Sequence, residues 1–196
     1  MDVIPLLHLR QQILSKETDI SSVRKLLDDH SLSSLYIFDE QGIMKNRPSV
    51  DFYQGISKIY ELWVDAGPRE TGDIVDLVFS GVKNIILRPS IWIERTIESV
   101  RDLTEHPVFC QYTVDVTQRN PVCDQYIPMD NFDGVIVLIH GDWDNRRFSV
   151  EEKIKQLAKK KNSYVLSSDY SKQSYWKSIG FDGVLIDINK LSEVID

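Results

Sequence analysis

Eight short apolar runs, each followed by a polar turn and most of them by an amphipathic stretch, constrain this chain more than any other feature. The runs are continuous rather than alternating, which is typical of strands buried on both faces. They predict strands over residues 3–9, 35–38, 62–64, 84–87, 108–114, 134–139, 163–166 and 183–186. Apolar residues at helical spacing predict helices over residues 22–30, 50–59, 71–80, 94–104, 150–160 and 171–179.

Strands that alternate with helices pair in parallel through right-handed crossovers. Eight of them favour a closed (β/α)8 barrel, the TIM barrel, as one domain over residues 1–196. Such barrels rarely have fewer than about 200 residues, so this one is expected to be compact with short helices. The alternative is an open flavodoxin-like sheet with fewer strands. No Gly-x-Gly-x-x-Gly follows the first run, and no cofactor is expected.

Three local signals predict where helices begin and end. Ser149 followed by Glu152 has the spacing of a capping box at the start of a helix. Gly81 and Gly180 each follow a helical stretch and are expected to be the residue just beyond its end.

Composition excludes several classes of partner. The net charge is −7, and no run of Lys and Arg offers a phosphate-neutralising surface, which argues against nucleic-acid binding. No stretch approaches the roughly 20 apolar residues of a membrane span. Residues 3–9 are too short for a signal peptide and lack a basic leader. Two cysteines make no disulfide framework, so a cytoplasmic protein with reduced thiols is expected.

In a parallel barrel, the loops after the carboxyl ends of the strands carry function. The polar residues near these predicted ends are His8, Arg10, Asp39, Glu40, Asp65, Arg69, Arg88, Asp115, His140, Asp142, Asp144, Ser167, Ser168, Asp169 and Asp187. His8 and Asp115 stand out because apolar residues flank both, near the ends of strands that lie across a barrel from one another. Two such groups are suited to general acid–base catalysis on a small substrate.

Several segments carry a family resemblance. The order VIPLLHLR, LYIFDEQGI, LWVDAGPRE, FSGVKNIILRPS, YTVDV, RFSVEEKI and GFDGVLI resembles the barrels of histidine biosynthesis. These are phosphoribosylformimino-aminoimidazole carboxamide ribotide isomerase and its cyclase partner, which are ribulose-phosphate-binding barrels. The resemblance covers nearly the whole chain, and its individual motifs are weak. The chain is similar to short archaeal proteins related to that isomerase and cyclase.

The resemblance implies a reaction and two catalytic residues. In that family the first strand carries a catalytic Asp, and His8 stands at the matching position. Asp115 matches the family's second catalytic Asp, at the end of the fifth strand. The implied reaction is an Amadori rearrangement, the isomerisation of an aminoaldose phosphate to an aminoketose phosphate.

The resemblance also implies a changed substrate site. The family binds two phosphates at glycine-rich turns, of which the turn after strand three keeps only Gly67. Arg69 and Arg88 could replace backbone donors there by bidentate contacts to one anionic group. After strand seven Ser167 and Ser168 stand where the family has glycines and are followed by Asp169, and after strand eight Asp187 stands where it has another. The two carboxylates would repel a second phosphate. The predicted ligand is therefore a smaller anionic, phosphorylated metabolite. Its predicted binding residues are Arg10, Gly67, Arg69, Arg88, Ser167 and Ser168.

Two other functions stay open. A metal could bind where acidic and histidine side chains converge, although no spacing motif supports this and solvated acids explain them more simply. The candidate ligands are His8, Asp39, Asp115, His140, Asp169 and Asp187. Alternatively, the barrel is catalytically degenerate and acts as a binding or regulatory partner, or as a homo-oligomer. Trp92, Trp143 and Trp176 would serve either such an interface or the packing of helices on the barrel.

Overall fold

The eight strands pair in parallel in chain order, and the eighth closes on the first. The chain is therefore a closed (β/α)8 barrel, which confirms the predicted fold and excludes the open sheet. The computed structural model describes residues 1–10, 20–94, 96–116, 131–167 and 169–194. The strands are β1 (Asp2–Leu9), β2 (Ser34–Asp39), β3 (Glu61–Asp65), β4 (Asn84–Leu87), β5 (Val108–Asp115), β6 (Gly134–His140), β7 (Ser163–Leu166) and β8 (Gly183–Asp187). Every predicted strand lies within one residue of these bounds.

The helices are short, as the chain length requires. In the described residues they are α1 (Ile20–Asp29), α2 (Glu40–Lys45), α3 (Val50–Ile56), α4 (Thr71–Phe79), α5 (Glu98–Leu103), α6 (Phe148–Ala158), α7 (Gln173–Ile179) and α8 (Leu191–Val194). Helices α2 and α8 were not predicted, and α5 is shorter than the predicted stretch 94–104. None of the described helices is long and apolar enough to cross a lipid bilayer.

The predicted helix ends have mixed outcomes. Gly81 and Gly180 follow α4 and α7 with φ of +84° and +114°, so their predicted place at helix ends is confirmed. The predicted capping box of Ser149 and Glu152 is wrong. Helix α6 begins one residue before Ser149, which therefore lies inside the helix and cannot cap it.

The barrel has an inner and an outer apolar layer. The inner layer consists of Ile4, Leu6, Tyr36, Trp63, Ile86, Phe109, Ile136, Leu138, Tyr164 and Leu185. The Trp63 ring lies 4.5 Å from that of Phe109 and 5.0 Å from that of Tyr164, measured between centroids. The alternate strand residues pack outward under the helices. Burial on both faces explains why the runs are continuous in apolar character.

The alternation of the inner layer decides which residues reach the mouth of the barrel. Successive side chains of a strand point to opposite faces, so the next inward positions follow two residues after Leu6, Tyr36, Trp63, Ile86, Leu138, Tyr164 and Leu185. Those positions are His8, Phe38, Asp65, Arg88, His140, Leu166 and Asp187. On β5 the inward position at the same level is Asp115. Together these residues form the carboxyl-terminal mouth.

Candidate functional site

A buried ion pair lies on one side of the mouth, between the ends of β3 and β4. The Asp65 side chain has no exposed surface, and only 13% of the Arg88 side chain is exposed. Arg88 Nε and Nη2 donate to the two carboxylate oxygens of Asp65 at 2.7 and 2.6 Å. The Tyr36 hydroxyl donates to the same carboxylate at 3.2 Å. Burial and the Asp65 charge raise the pKa of Tyr36 well above its ordinary value, so its hydroxyl stays protonated.

Phe38 lies between this ion pair and His8. The Arg88 guanidinium carbon lies over the Phe38 ring, 5.2 Å from its centroid. The His8 ring lies 5.3 Å from Phe38 on the adjacent strand β1, with which β2 is in register. Phe38 therefore separates a fixed cation from a titratable imidazole.

His8 is exposed at the rim of the mouth, and its pKa is lowered. Partial desolvation of its ring lowers the pKa below the ordinary value of 6.5, and the Arg10 charge acts in the same direction. Asp187 on the neighbouring strand β8 opposes this change more strongly than Glu40 does. The carboxylate with the largest effect on the pKa of His8 is thus Asp187, which the sequence had indicated as an obstacle to phosphate and as a candidate metal ligand.

Asp115 lies at the end of β5, half-buried and in register with His140 on β6. Its position places it across the mouth from His8, because β1 and β5 are four strands apart in the closed order. His8 and Asp115 thus lie on opposite sides of the same rim of the barrel.

The loop after β3 has a structural explanation. Gly67 has φ of +64°, and a Cβ there would meet Ile43 Cα of α2 at 2.8 Å. Arg69 donates from Nη1 to Asn46 Oδ1 at 2.7 Å and from Nη2 to the Ile43 carbonyl at 3.0 Å. A cation that binds carbonyls in the last turn of a helix offsets its negative end. Gly67 and Arg69, which were predicted to hold a phosphate, both fasten α2 to this loop.

The remaining predicted binding residues are dispersed. Arg10 is exposed and forms a surface ion pair with Glu40 at 3.5 Å. Ser167 is buried, and its hydroxyl oxygen accepts from the Asp169 amide at 3.3 Å. Ser168 lies outside the described residues.

Four acidic residues of the rim cap a helix or a 3-10 turn. Asp39 accepts from the amides of Gln41 and Gly42 at the start of α2, and also from Tyr53 and the Ser49 amide. Asp142, Asp169 and Asp187 do the same for the 3-10 turns Trp143–Asn145, Tyr170–Lys172 and Ile188–Lys190. Helix-start amides are the donors that bind phosphate in many barrels. After β6, β7 and β8 the chain's own carboxylates take these donors.

The candidate metal ligands do not come together into a metal site. Among the described residues, no group of three or more His, Cys, Asp or Glu side chains could hold a metal ion. Trp92, Trp143 and Trp176 are buried in the packing of the barrel, at 7%, 4% and 1% exposure.

Sequence reasoning missed Tyr36 and Phe38, and it missed the pairing of Asp65 with Arg88. The signal that could have found it is the two-residue period within each strand. Once Tyr36 and Trp63 are taken as inward-facing, Phe38 and Asp65 must face the mouth. The continuous apolar runs conceal that period.

No protein-family model matches the chain, and no curated protein matches it. Solved structures do. 3-Hexulose-6-phosphate synthase from Salmonella typhimurium superposes with a TM-score of 0.62 at 12% identity, over 100% of this chain and 98% of that one. The tryptophan synthase a2b2 complex from Pyrococcus furiosus gives 0.60 at 13% identity, over 97% and 90%. At these identities the likeness establishes the barrel fold.

Proposed function

We propose that this barrel binds a small phosphorylated metabolite at its carboxyl-terminal mouth and catalyses proton transfer on it. The observation that carries the proposal is the inward placement of a fixed guanidinium, Arg88, on the same rim as His8 and Asp115. One anion anchor and two titratable groups are the minimum for acid–base isomerisation of an anionic substrate.

The structural neighbours support a phosphorylated ligand. One of them is named for a phosphorylated sugar, 3-hexulose 6-phosphate, and it spans the same barrel over its whole length. The mouth of this chain differs from an anion site built on helix starts, because three of those starts are already capped by Asp142, Asp169 and Asp187. The proposed substrate therefore carries one phosphate or carboxylate, which lies on the β3–β4 side.

The proposed reaction is an aldose–ketose isomerisation of the Amadori type. Asp115, in its acid form, would donate a proton to the ring oxygen as the bond from C1 to that oxygen breaks and the amino nitrogen forms a C=N bond to C1. His8, whose pKa is lowered by partial burial, would remove the proton from C2 to give an enaminol. The C2 hydroxyl then returns its proton to Asp115 and becomes the ketone carbonyl, while the proton on His8 is delivered to C1. Both side chains regain their starting states, so the reaction needs no oxidant or reductant. Asp187 would stabilise the imidazolium that forms on His8.

A thermal-shift screen tests the binding part of this proposal. The panel contains ribose 5-phosphate, other sugar phosphates, the histidine-pathway ribotide, inorganic phosphate and unphosphorylated ribose. A ligand that binds only the folded state raises the melting temperature, and the rise grows with the logarithm of the ratio of ligand concentration to dissociation constant. We expect a rise of several degrees with a sugar phosphate and none with ribose.

The knock-out for this screen must stay folded. Removing Arg88 alone leaves Asp65 buried without its partner, so we use the triple variant Tyr36→Phe, Asp65→Leu, Arg88→Met. Apolar replacement of a whole buried pair is often neutral for stability. Arg101→Ala is the matched control, because Arg101 pairs with Asp133 at 2.8 Å at the opposite end of the barrel. Binding that survives in the triple variant would exclude Arg88 as the anchor.

A second candidate function is a non-catalytic partner subunit. It is favoured because both predicted phosphate-binding arginines already have partners within the chain. Arg69 binds carbonyls of α2, and Arg88 binds Asp65. The neighbour from Pyrococcus furiosus is described for mutual activation within an a2b2 complex. Copurification of one stoichiometric partner, with no response to any phosphorylated ligand, would favour this function over catalysis.

A further inference from the structure

The Arg88 guanidinium is held on two sides, and a third residue supports its partner Asp65. Asp65 binds its Nε and Nη2 edge, the Phe38 ring lies under its face at 5.2 Å, and the Tyr36 hydroxyl binds the Asp65 carboxylate from behind. Asp65, Tyr36 and Phe38 stand on neighbouring strands in one register, Phe38 opposite Asp65. Such a guanidinium cannot rotate without breaking two charged hydrogen bonds.

The ion pair leaves part of Arg88 unused. A guanidinium carries five N–H donors, and Asp65 takes one on Nε and one on Nη2. Within the described part of the chain, the Arg88 side chain donates to no residue other than Asp65. The Nη1 side therefore keeps its donors, and 13% of the side chain is accessible at the mouth.

Fold stability is a weak explanation for this arrangement. A buried ion pair is often no more stabilising than apolar residues of the same volume, because both charges lose their hydration. An ion pair that is costly to bury is easier to explain in a binding site. There it fixes a hydrogen-bond donor in advance, and a preorganised donor loses less entropy when the ligand binds.

We propose that Asp65, supported by Tyr36, is a positioning residue that aims the remaining donors of Arg88 at the anionic group of the ligand. This inference rests on the proposed function. It also predicts the kind of recognition. Since Asp65 cancels the Arg88 charge, the anion is bound by directed hydrogen bonds and not by net charge. Oxyanions that accept two hydrogen bonds are preferred over halide ions.

The substitution Asp65→Asn separates position from charge. It is nearly isosteric, and it removes one negative charge beside Arg88. If Arg88 acts only through charge, an anion should bind the variant more tightly. If Asp65 positions Arg88, the anion should bind about tenfold or more weakly, the loss expected for a displaced charged hydrogen bond.

The experiment measures the dissociation constant of ribose 5-phosphate by calorimetry for four proteins: the wild type, Asp65→Asn, Tyr36→Phe and Tyr60→Phe. Tyr36→Phe keeps both charges and removes only the support of Asp65, so a smaller loss of about threefold is expected. Tyr60→Phe is the matched control, because it removes a Tyr–Asp hydrogen bond of 2.7 Å, to Asp28 in the outer layer. It should bind as the wild type does. Melting temperatures show which variants are folded.

The outcomes are distinct. Weaker binding in Asp65→Asn and Tyr36→Phe, with Tyr60→Phe unchanged, supports the positioning role. Equal or tighter binding in Asp65→Asn overturns that role and leaves Arg88 as a charge anchor. A wild type that does not bind ribose 5-phosphate overturns the inference and removes the support for the proposed function with it. If Asp65→Asn fails to fold, Tyr36→Phe decides between the first two results.

Discussion

At the scale of single residues, the mouth places one fixed cation, Arg88, close to the imidazole of His8. Arg88 is held by Asp65, and Phe38 lies between Arg88 and His8. The ring centroids of His8 and Phe38 are 5.3 Å apart. A base that is unprotonated at pH 7 is ready to accept a proton, and a carboxylate nearby stabilises the cation that results. Asp187 is placed for that task, since it opposes the fall in the pKa of His8.

The pKa of His8 can be measured directly by proton NMR titration of its ring. We expect a value below 6.5, because burial favours the neutral form. Asp187→Asn should lower the pKa of His8 further, since it removes the neighbouring negative charge. Glu40→Gln, which removes a more weakly interacting charge, should have a smaller effect. A pKa above 6.5 in the wild type would contradict the assignment of His8 as the base.

Removing only half of the ion pair should be costly. In Arg88→Met the Asp65 carboxylate stays buried with only Tyr36 as a donor, so we expect a loss of about 3–5 kcal/mol of unfolding free energy. The triple variant Tyr36→Phe, Asp65→Leu, Arg88→Met should recover most of this loss. Urea unfolding measures both. A single variant as stable as the wild type would show that the pair is open to solvent.

At the scale of elements, the loop after β3 attaches α2 to the barrel. Gly67 allows the close approach to Ile43, and Arg69 binds the last carbonyls of the helix. Helix α2 in turn is capped by Asp39, which is buried and accepts four hydrogen bonds. The charged and Gly/Pro residues of this loop therefore have a structural role that does not depend on a ligand.

Gly67→Ala should destabilise the protein by about 2 kcal/mol or more, through its positive φ and the contact of the new Cβ with α2. Gly72→Ala is the matched control in the helix that follows, where the nearest atom to a new Cβ is Glu70 Oε1 at 3.8 Å. There we expect a neutral or stabilising effect, because alanine restricts the unfolded chain. Urea unfolding of both variants tests this, and equal effects would contradict the packing role of Gly67.

Arg69→Gln should cost about 1 kcal/mol, the contribution of a few hydrogen bonds at a helix end. Arg10→Gln, at an exposed ion pair, should change stability by less than about 0.5 kcal/mol. In the ligand screen Arg69→Gln should bind as the wild type does. A large loss of affinity with unchanged stability would show that Arg69 does bind the ligand.

At the scale of the whole molecule, the fold could be read from the sequence because each strand is a continuous apolar run between polar turns. All eight strands were placed within one residue, and their number predicted the closed barrel. The ends of helices were less predictable. The apparent capping box at Ser149 failed because α6 starts at Phe148, with no side-chain cap.

The candidate site could be predicted only in part. His8 and Asp115 are recognisable because polar residues interrupt apolar strands. The pairing of Asp65 with Arg88 spans 23 residues and depends on the register of β3 and β4. Nothing local in the sequence distinguishes such an arginine, already paired, from one that is free to bind a phosphate.

The central claim is that the carboxyl-terminal mouth binds a phosphorylated ligand, and a titration of the ¹⁵N-labelled protein with ribose 5-phosphate followed by NMR tests it most directly. We expect the amide signals around Phe38, Asp65, Arg88 and Asp115 to shift together with one dissociation constant. The opposite end of the barrel provides the comparison, since a groove of about 460 Å³ there includes Lys58, Lys83 and His106. Shifts confined to that groove, or no shifts at all, would contradict the claim.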